Sequence, residues 1–399
     1  MRFEFPKGFL WGAATSAHQV EGGNQNNWSE WEKKNAERLS RESGEKYPPE
    51  NYISGRACDH YNRYKEDFAL AKNLGHNATR FSIEWSRVEP EEGKFDEAAI
   101  THYRDVIKTC RGLGLEPFVT LWHWTLPLWL SVKGGVLTKN FGFYFSRYAE
   151  KMAREFPEVS FWITLNEPEI YSTNSYLKGA WTPQKKNLFS YLRVLDNLAN
   201  AHKLVYDAIK KINPETKIGI AKNNVYFESS GGFINDLLKK TADWNWNDGF
   251  LKRMASYQDF IGLNHYFHNQ INYGFGKNKN KKTSDMGWEL YPEGIYRCLV
   301  DLKKYGKPVY ITENGLADAK DEKREWFIKE SLKNVYRAIS EGVDVRGYLH
   351  WSLLDNFEWD KGFWPRFGLV EINYETFGRK IRPSAYSYKK ICETNSLEE

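Results

Sequence analysis

The feature that most constrains this chain is a unit that returns along its length: an amphipathic helix, a glycine near its end, then a short apolar strand. From residue 59, Tyr61, Tyr64, Phe68, Ala71 and Leu74 recur at helical spacing behind Asp59, which reads as an N-cap. Gly75 stops that helix and "NATRFSI" follows. The same order holds in "ITHYRDVIKTCRGLG" before "LEPFVTLW", and in "FIKESLKNVYRAISEG" before "VRGYLHWSL", where Ile328, Leu332, Val335 and Ile339 form the stripe. Strand candidates fall at 9–16, 77–83, 115–122, 160–165, 217–223, 259–266, 308–313 and 345–353. Eight such units favour a closed parallel (β/α)8 TIM barrel of the α/β class. A doubly wound sheet would more often show fewer strands and a Gly-rich phosphate turn, and no G-x-G-x-x-G occurs. With no low-complexity linker or break in composition, residues 1–399 read as one catalytic domain, with a polar tail after about Cys392 expected to fray.

Charge narrows the partners. Lys and Arg number 57 against 52 Asp and Glu, a net +5, and the basic residues are spread out, so nucleic acid is not expected. The densest basic stretch, "GKNKNKK" at 276–282, lacks interleaved aromatics and reads as a solvated loop. Cys58, Cys110, Cys298 and Cys392 make no zinc or redox spacing, which suits a reducing compartment. Glu4 and Lys7 break up any secretory leader, no apolar run reaches the ~18 residues of a membrane span, and the expected location is the cytoplasm. The sequons "NWS" at 27 and "NAT" at 77 are then chance matches. Aromatic residues make up 16%, with 16 Trp, a surplus that suits ligands with flat apolar faces such as sugar rings where it is not core.

The chemistry gathers at the strand ends. At or just past the C-terminal end of each strand stand Gln19, Arg80, His123, Asn166 with Glu167, Asn223 with Asn224, Asn264 with Tyr266, Glu313 and Trp351. A (β/α)8 barrel opens all these ends on one face, so residues remote in sequence converge on one pocket. A lone Glu at a strand end is more often a salt-bridge partner than a catalyst; it is the alignment that makes Glu167 and Glu313 a candidate pair. Glycoside hydrolysis needs two carboxyls, one protonated to donate to the leaving oxygen and one ionised to attack or to activate water. Like-charge proximity would raise one pKa, while Arg80 beside the other would keep it ionised. "HYFH" at 265–268 has no second ligand cluster, so neither a metal nor a cofactor is expected. Trp122, Trp124 and Trp129 divide between core and pocket wall.

Longer stretches carry a specific likeness: "FLWGAATSAHQVEGG", "TRFSIEWSRVEP", "TLWHWTLPLWL", "TLNEP", "DFIGLNHY", "ITENG", "HWSLLDNFEWDKGFWPRFGLV" and "RPSAYSY". On these the chain resembles, nearly end to end, the family 1 glycoside hydrolases, the retaining β-glucosidase and β-galactosidase family. The resemblance implies that Glu167 of "NEP" is the general acid/base and Glu313 of "TENG" the nucleophile that forms a covalent glycosyl-enzyme. It implies Asn166 at the sugar 2-hydroxyl, Gln19, His123, Glu358 and Trp359 at the other hydroxyls, and Trp351 as the stacking floor. Arg80 and Tyr266 would steady the nucleophile, and Asn264 would support the same shell. The implied substrate is a small β-linked disaccharide or an aryl or alkyl β-glycoside. Glu358 would repel a 6-phosphate, and the presence of Glu167 favours oxygen glycosides over thioglucosides. Against the family pattern, the stretches from Asn224 to Asp259 and from Phe267 to Lys307 are compact, and His265 stands where many relatives carry an aromatic. The alternatives are a sugar-binding barrel with weak or lost hydrolysis, or a transglycosylating relative.

Overall fold

The computed structural model describes residues 2–398. Eight parallel strands close into a barrel: β1 Leu10–Ala14, β2 Ala78–Ser82, β3 Glu116–Trp122, β4 Phe161–Asn166, β5 Lys217–Asn223, β6 Phe260–Asn264, β7 Val309–Asn314 and β8 Val345–Trp351. They pair in chain order, and β8 returns to β1 from Gly347 against Leu10 to Trp351 against Ala14. The expected strand segments are all present, with ends displaced by a residue or two. Helices such as His60–Asn73, Glu97–Gly112, Phe141–Glu155 and Arg324–Ser340 return the chain between strands. Helix Glu97–Gly112 shows why: Asp96 accepts from the amides of Ala98 and Ala99, and Ile100, Tyr103, Ile107 and Cys110 bury one stripe against the barrel.

Asp59 does not cap its helix as the sequence suggests. It sits at φ 56°, in the left-handed region, and its carboxylate accepts from Arg56 at 3.0 Å and Asn62 at 2.7 Å. A side chain held from both flanks is turned away from the first-turn amides.

The inside of the barrel is plugged at its N-terminal end. Phe118 stacks on Phe161 with ring centroids 4.3 Å apart and meets Tyr310 at 5.2 Å and Phe260 at 6.2 Å, with Ala78, Ile163 and Leu349 filling the rest. The strands' apolar first halves therefore seal the floor, and their polar last residues stand above it around the mouth. Gly315, after the β7 Glu313–Asn314 pair, lets two strand ends close up: a Cβ there would lie 1.9 Å from the Trp351 carbonyl oxygen.

The C-terminal tail is not frayed. Ser396–Glu398 pairs antiparallel with Arg2–Glu4, Leu397 is 1% exposed, and Asn395 links the termini, accepting from Trp11 Nε1 at 2.9 Å and donating to the Phe5 carbonyl at 2.7 Å. The expectation failed because one apolar residue in a polar stretch finds its partner strand at the opposite terminus, a contact with no local signal. The four cysteines are buried and unpaired, residues 276–282 form an irregular exposed loop, and among the described residues no helix is long and apolar enough to cross a membrane. Truncating Leu397 to Ala should lower unfolding stability by ~2–4 kcal/mol in a denaturant titration; a change near zero would mean that the tail is loose after all.

Candidate active site

Arg80 organises the mouth of the barrel. It rises from β2 fully buried, where a cation is costly unless its donors are all met. Its guanidinium donates to Glu313 Oε1 at 2.5 Å, Asn166 Oδ1 at 2.7 Å, Thr120 Oγ1 at 3.0 Å and the Thr312 carbonyl at 3.3 Å. The rigid planar fork thus ties β2 to β3, β4 and β7 at the height where the chemistry stands.

The two candidate carboxyls meet around this network in different surroundings. Glu313 ends β7 with one oxygen on Arg80 and the other accepting from Tyr266 Oη at 2.8 Å. Burial leaves its pKa raised, although Arg80, Tyr266 and Asn264 draw it part of the way back toward the ionised form. Glu167 follows β4 at φ 44°, a conformation strained for a side-chain-bearing residue, and Pro168 starts a short helix directly behind it. Its Oε1 accepts from Asn264 Nδ2 at 2.9 Å and Asn223 Nδ2 at 3.1 Å. With no cation in contact, burial first and the Glu313 charge second push the Glu167 pKa up to about 8. Both carboxyls line one cavity, and Glu167 lies close enough to Glu313 to feel its charge.

The neighbours complete a chain of polar contacts. Asn166 Oδ1 accepts from both Arg80 and Asn264, the latter at 3.1 Å, so its amide nitrogen turns to His123 Nε2 at 3.1 Å. Burial, then Arg80 and His18, hold His123 well below the usual imidazole pKa. A neutral ring that accepts at Nε2 carries its proton on Nδ1, which is buried without a protein partner and belongs to a residue lining the cavity. Gln19 donates to Asn356 Oδ1 and the Phe357 carbonyl, both at 2.9 Å, and to Glu358 Oε2 at 3.3 Å, while Ser16 donates to its oxygen at 2.6 Å. Glu358 is itself pushed up to about 8, by burial and then by Glu313, Asp360 and Glu167.

These groups surround a cavity of about 480 Å³, the size of a small-molecule site. Gln19, His123, Asn166, Glu167, Tyr266, Glu313, Trp351, Glu358 and Trp359 line it; Arg80 and Asn264 stand behind and hold the lining in place. The rings of Trp351 and Trp359 lie nearly parallel to His123, with centroids 6.0 and 6.1 Å from it and interplanar angles of 18° and 12°. Trp124 lines the cavity, Trp122 is core, and Trp129 donates to the Glu89 carbonyl outside it. His265 bonds the Asn224 carbonyl at 3.0 Å. His268 is engaged by Glu289 at 2.6 Å and Glu228 at 3.0 Å.

Sequence reasoning placed Asn223 at a strand end but gave it no role, although it is one of two amides on Glu167. It also missed a second wall of Trp246, Phe267, Met286 and Trp288, which comes from the two compact stretches. Loop residues carry no periodic signal that aims them; the aromatic density of "DWNWND" is a signal for Trp246 alone.

The model of glycosyl hydrolase family 1 matches residues 1–251 and 234–397. Beta-glucosidase A of Thermotoga maritima is 34% identical over 99% of this chain and 99% of its own, and a beta-galactosidase of Sulfolobus acidocaldarius is 30% identical over 99% and 96%. Among solved structures, a beta-glycosidase from Pyrococcus horikoshii superposes with a TM-score of 0.91 at 38% identity, covering 100% of this chain and 97% of that one. The Thermotoga maritima beta-glucosidase in complex with castanospermine gives 0.89 at 32%, covering both chains fully. Matched along nearly its whole length by the family model and by relatives above 30% identity, the chain belongs to glycosyl hydrolase family 1.

Proposed function

We propose that this protein is a retaining, exo-acting β-glycosidase, a β-glucosidase with β-galactosidase and β-fucosidase side activity, that works by double displacement. The observation that carries the reading is the split between two nearby carboxyls, Glu313 gripped by Arg80 and Tyr266 and Glu167 held up to about 8. In the first step Glu313 Oε attacks the anomeric carbon, the glycosidic bond breaks, and the leaving oxygen takes the Glu167 proton. In the second, Glu167, now a carboxylate, removes a proton from water, the water oxygen bonds the anomeric carbon, and Glu313 departs as carboxylate.

The supporting groups follow from their contacts. Asn166, His123, Gln19, Glu358 and Trp359 are assigned to the hydroxyls of the non-reducing-end sugar, Trp351 to its apolar face, and Trp246, Phe267, Met286 and Trp288 to the leaving group. Arg80 and Asn264 position, and Tyr266 donates to the nucleophile. An unphosphorylated sugar is favoured, although for a different reason than the fixed charge of Glu358. Burial and then its like-charged neighbours push that carboxyl up to about 8, and a phosphate dianion would add further charge to the cluster of Glu313, Asp360 and Glu167. Four unpaired thiols support work in a reducing, cytoplasmic setting, and the absence of a linker supports one catalytic unit.

Glu313→Gln should cut turnover of an aryl β-glucoside by ~10³-fold or more while sugar binding stays measurable by calorimetry. Near-normal hydrolysis would remove the nucleophile, and a parent protein that binds sugar but releases no aglycone would leave only the sugar-binding reading. Glu167→Ala should cost ~10²–10⁴-fold on substrates with poor leaving groups and far less on a dinitrophenyl glycoside, which needs little protonation. Equal losses on both would contradict the acid role. Because the Glu167 pKa is raised, the proton it donates is present below about 8 and lost above, so kcat/KM for poor leaving groups should fall as pH rises through about 8. The Glu167→Ala profile should lack that fall; a limb that persists unchanged would assign it elsewhere.

A further inference from the structure

The alternation in "KIGIAKN" puts Ile218, Ile220 and residue 222 on the face of β5 turned away from the barrel axis, where helices pack. The first two are what such a face calls for; the third is Lys222, fully buried. An ammonium survives there only where protein groups replace its water. Lys222 Nζ meets the Asn223 carbonyl at 2.7 Å, the Trp246 carbonyl at 2.6 Å and Glu169 Oε1 at 3.2 Å.

Each of those partners leads to the active site by a separate route. Asn223 gives its side-chain amide to Glu167 at 3.1 Å. Glu169 lies on the short helix Pro168–Ser172 that begins immediately after Glu167. Trp246 rides a single π-helical turn, Asp243–Asp248, and lines the cavity. The same turn is clasped to the end of β5 again by Asn247, which accepts from the Val225 amide at 3.0 Å and donates to its carbonyl at 2.8 Å.

We propose that the buried Lys222–Glu169 pair is a positioning device that fixes the leaving-group wall at Trp246 relative to the carboxyl of Glu167. The proposal rests on the assignment of Glu167 as acid/base. A buried ion pair is a weak stabiliser, because desolvating two charges offsets most of their attraction. As a positioner it does what no apolar residue can, holding two carbonyls and a carboxylate from three segments around one nitrogen. The leaving oxygen must sit within hydrogen-bond reach of Glu167 while its substituent rests against the wall, and a misplacement of ~1 Å in either can cost ~10²-fold in rate.

Lys222→Met alone would leave Glu169 buried without its cation, so the informative variant is Lys222→Met/Glu169→Gln, which removes both charges at nearly constant volume. Its kcat/KM should fall ~10-fold or more on phenyl β-glucoside and less than ~3-fold on 2,4-dinitrophenyl β-glucoside. Inhibition by deoxynojirimycin, which is monosaccharide-sized and carries no leaving group, should stay within ~2-fold of the parent. A loss by the same factor on both substrates, or no change on either, would overturn the positioning role, and a merely structural pair would give one of these. Where Glu167→Ala shows leaving-group dependence and the double variant does not, this proposal fails alone; where Glu167→Ala shows none, the acid/base assignment falls and takes this proposal with it.

Discussion

The buried contact between Arg80 and Glu313 is the interaction around which the mouth of this barrel is built. A guanidinium with no solvent exposure must have its donors satisfied, and here the acceptors are Glu313, Asn166, Thr120 and the Thr312 carbonyl. Satisfying one cation therefore brings the ends of four strands into register. The same contact sets the electrostatics: it favours the ionised form of Glu313, and that negative charge adds to burial in keeping Glu167 protonated. Positioning and part of the proton assignment thus share one contact, with burial the larger cause at Glu167.

Around this centre the site is layered by chemistry. Amides of Asn223 and Asn264 hold the Glu167 carboxyl by neutral contacts, which orient it without forcing ionisation. Ring faces of Trp351, His123 and Trp359 give one side of the cavity, and Trp246 with Trp288 gives another. A cavity walled by aromatic faces and rimmed by hydroxyl partners matches a sugar ring, apolar on its faces and polar around its edge. The aromatic plug of Phe118, Phe161, Phe260 and Tyr310 closes the other end, so the polar network is open in one direction only.

Much of this was legible in the chain. The helix–glycine–strand period named the barrel because hydrophobic spacing is a local property, and residues at strand ends could be assigned to one face because a parallel barrel leaves no other choice. What was not legible depends on contacts distant in sequence. Asp59 has the residue type and place of an N-cap, yet Arg56 and Asn62 engage its carboxylate. Leu397 sits in a polar tail and is pinned by a strand nearly four hundred residues away. Trp246 enters the cavity on a π turn that no periodicity announces, and Lys222 looks like an error in an apolar stripe until its three acceptors are seen. Like-charge proximity was expected to raise the pKa of one carboxyl of the pair; at Glu167 burial is the larger cause, and a linear sequence does not state burial.

The proposed mechanism requires a carboxylate oxygen of Glu313 to bond the sugar. A 2-deoxy-2-fluoro β-glucoside carrying a dinitrophenyl leaving group slows release of the glycosyl-enzyme more than its formation, so the covalent species should accumulate. Peptide mapping by mass spectrometry should then find the fluorosugar on Glu313. An adduct on Glu167 or on any other side chain, or turnover of this substrate with no adduct at all, would contradict the account.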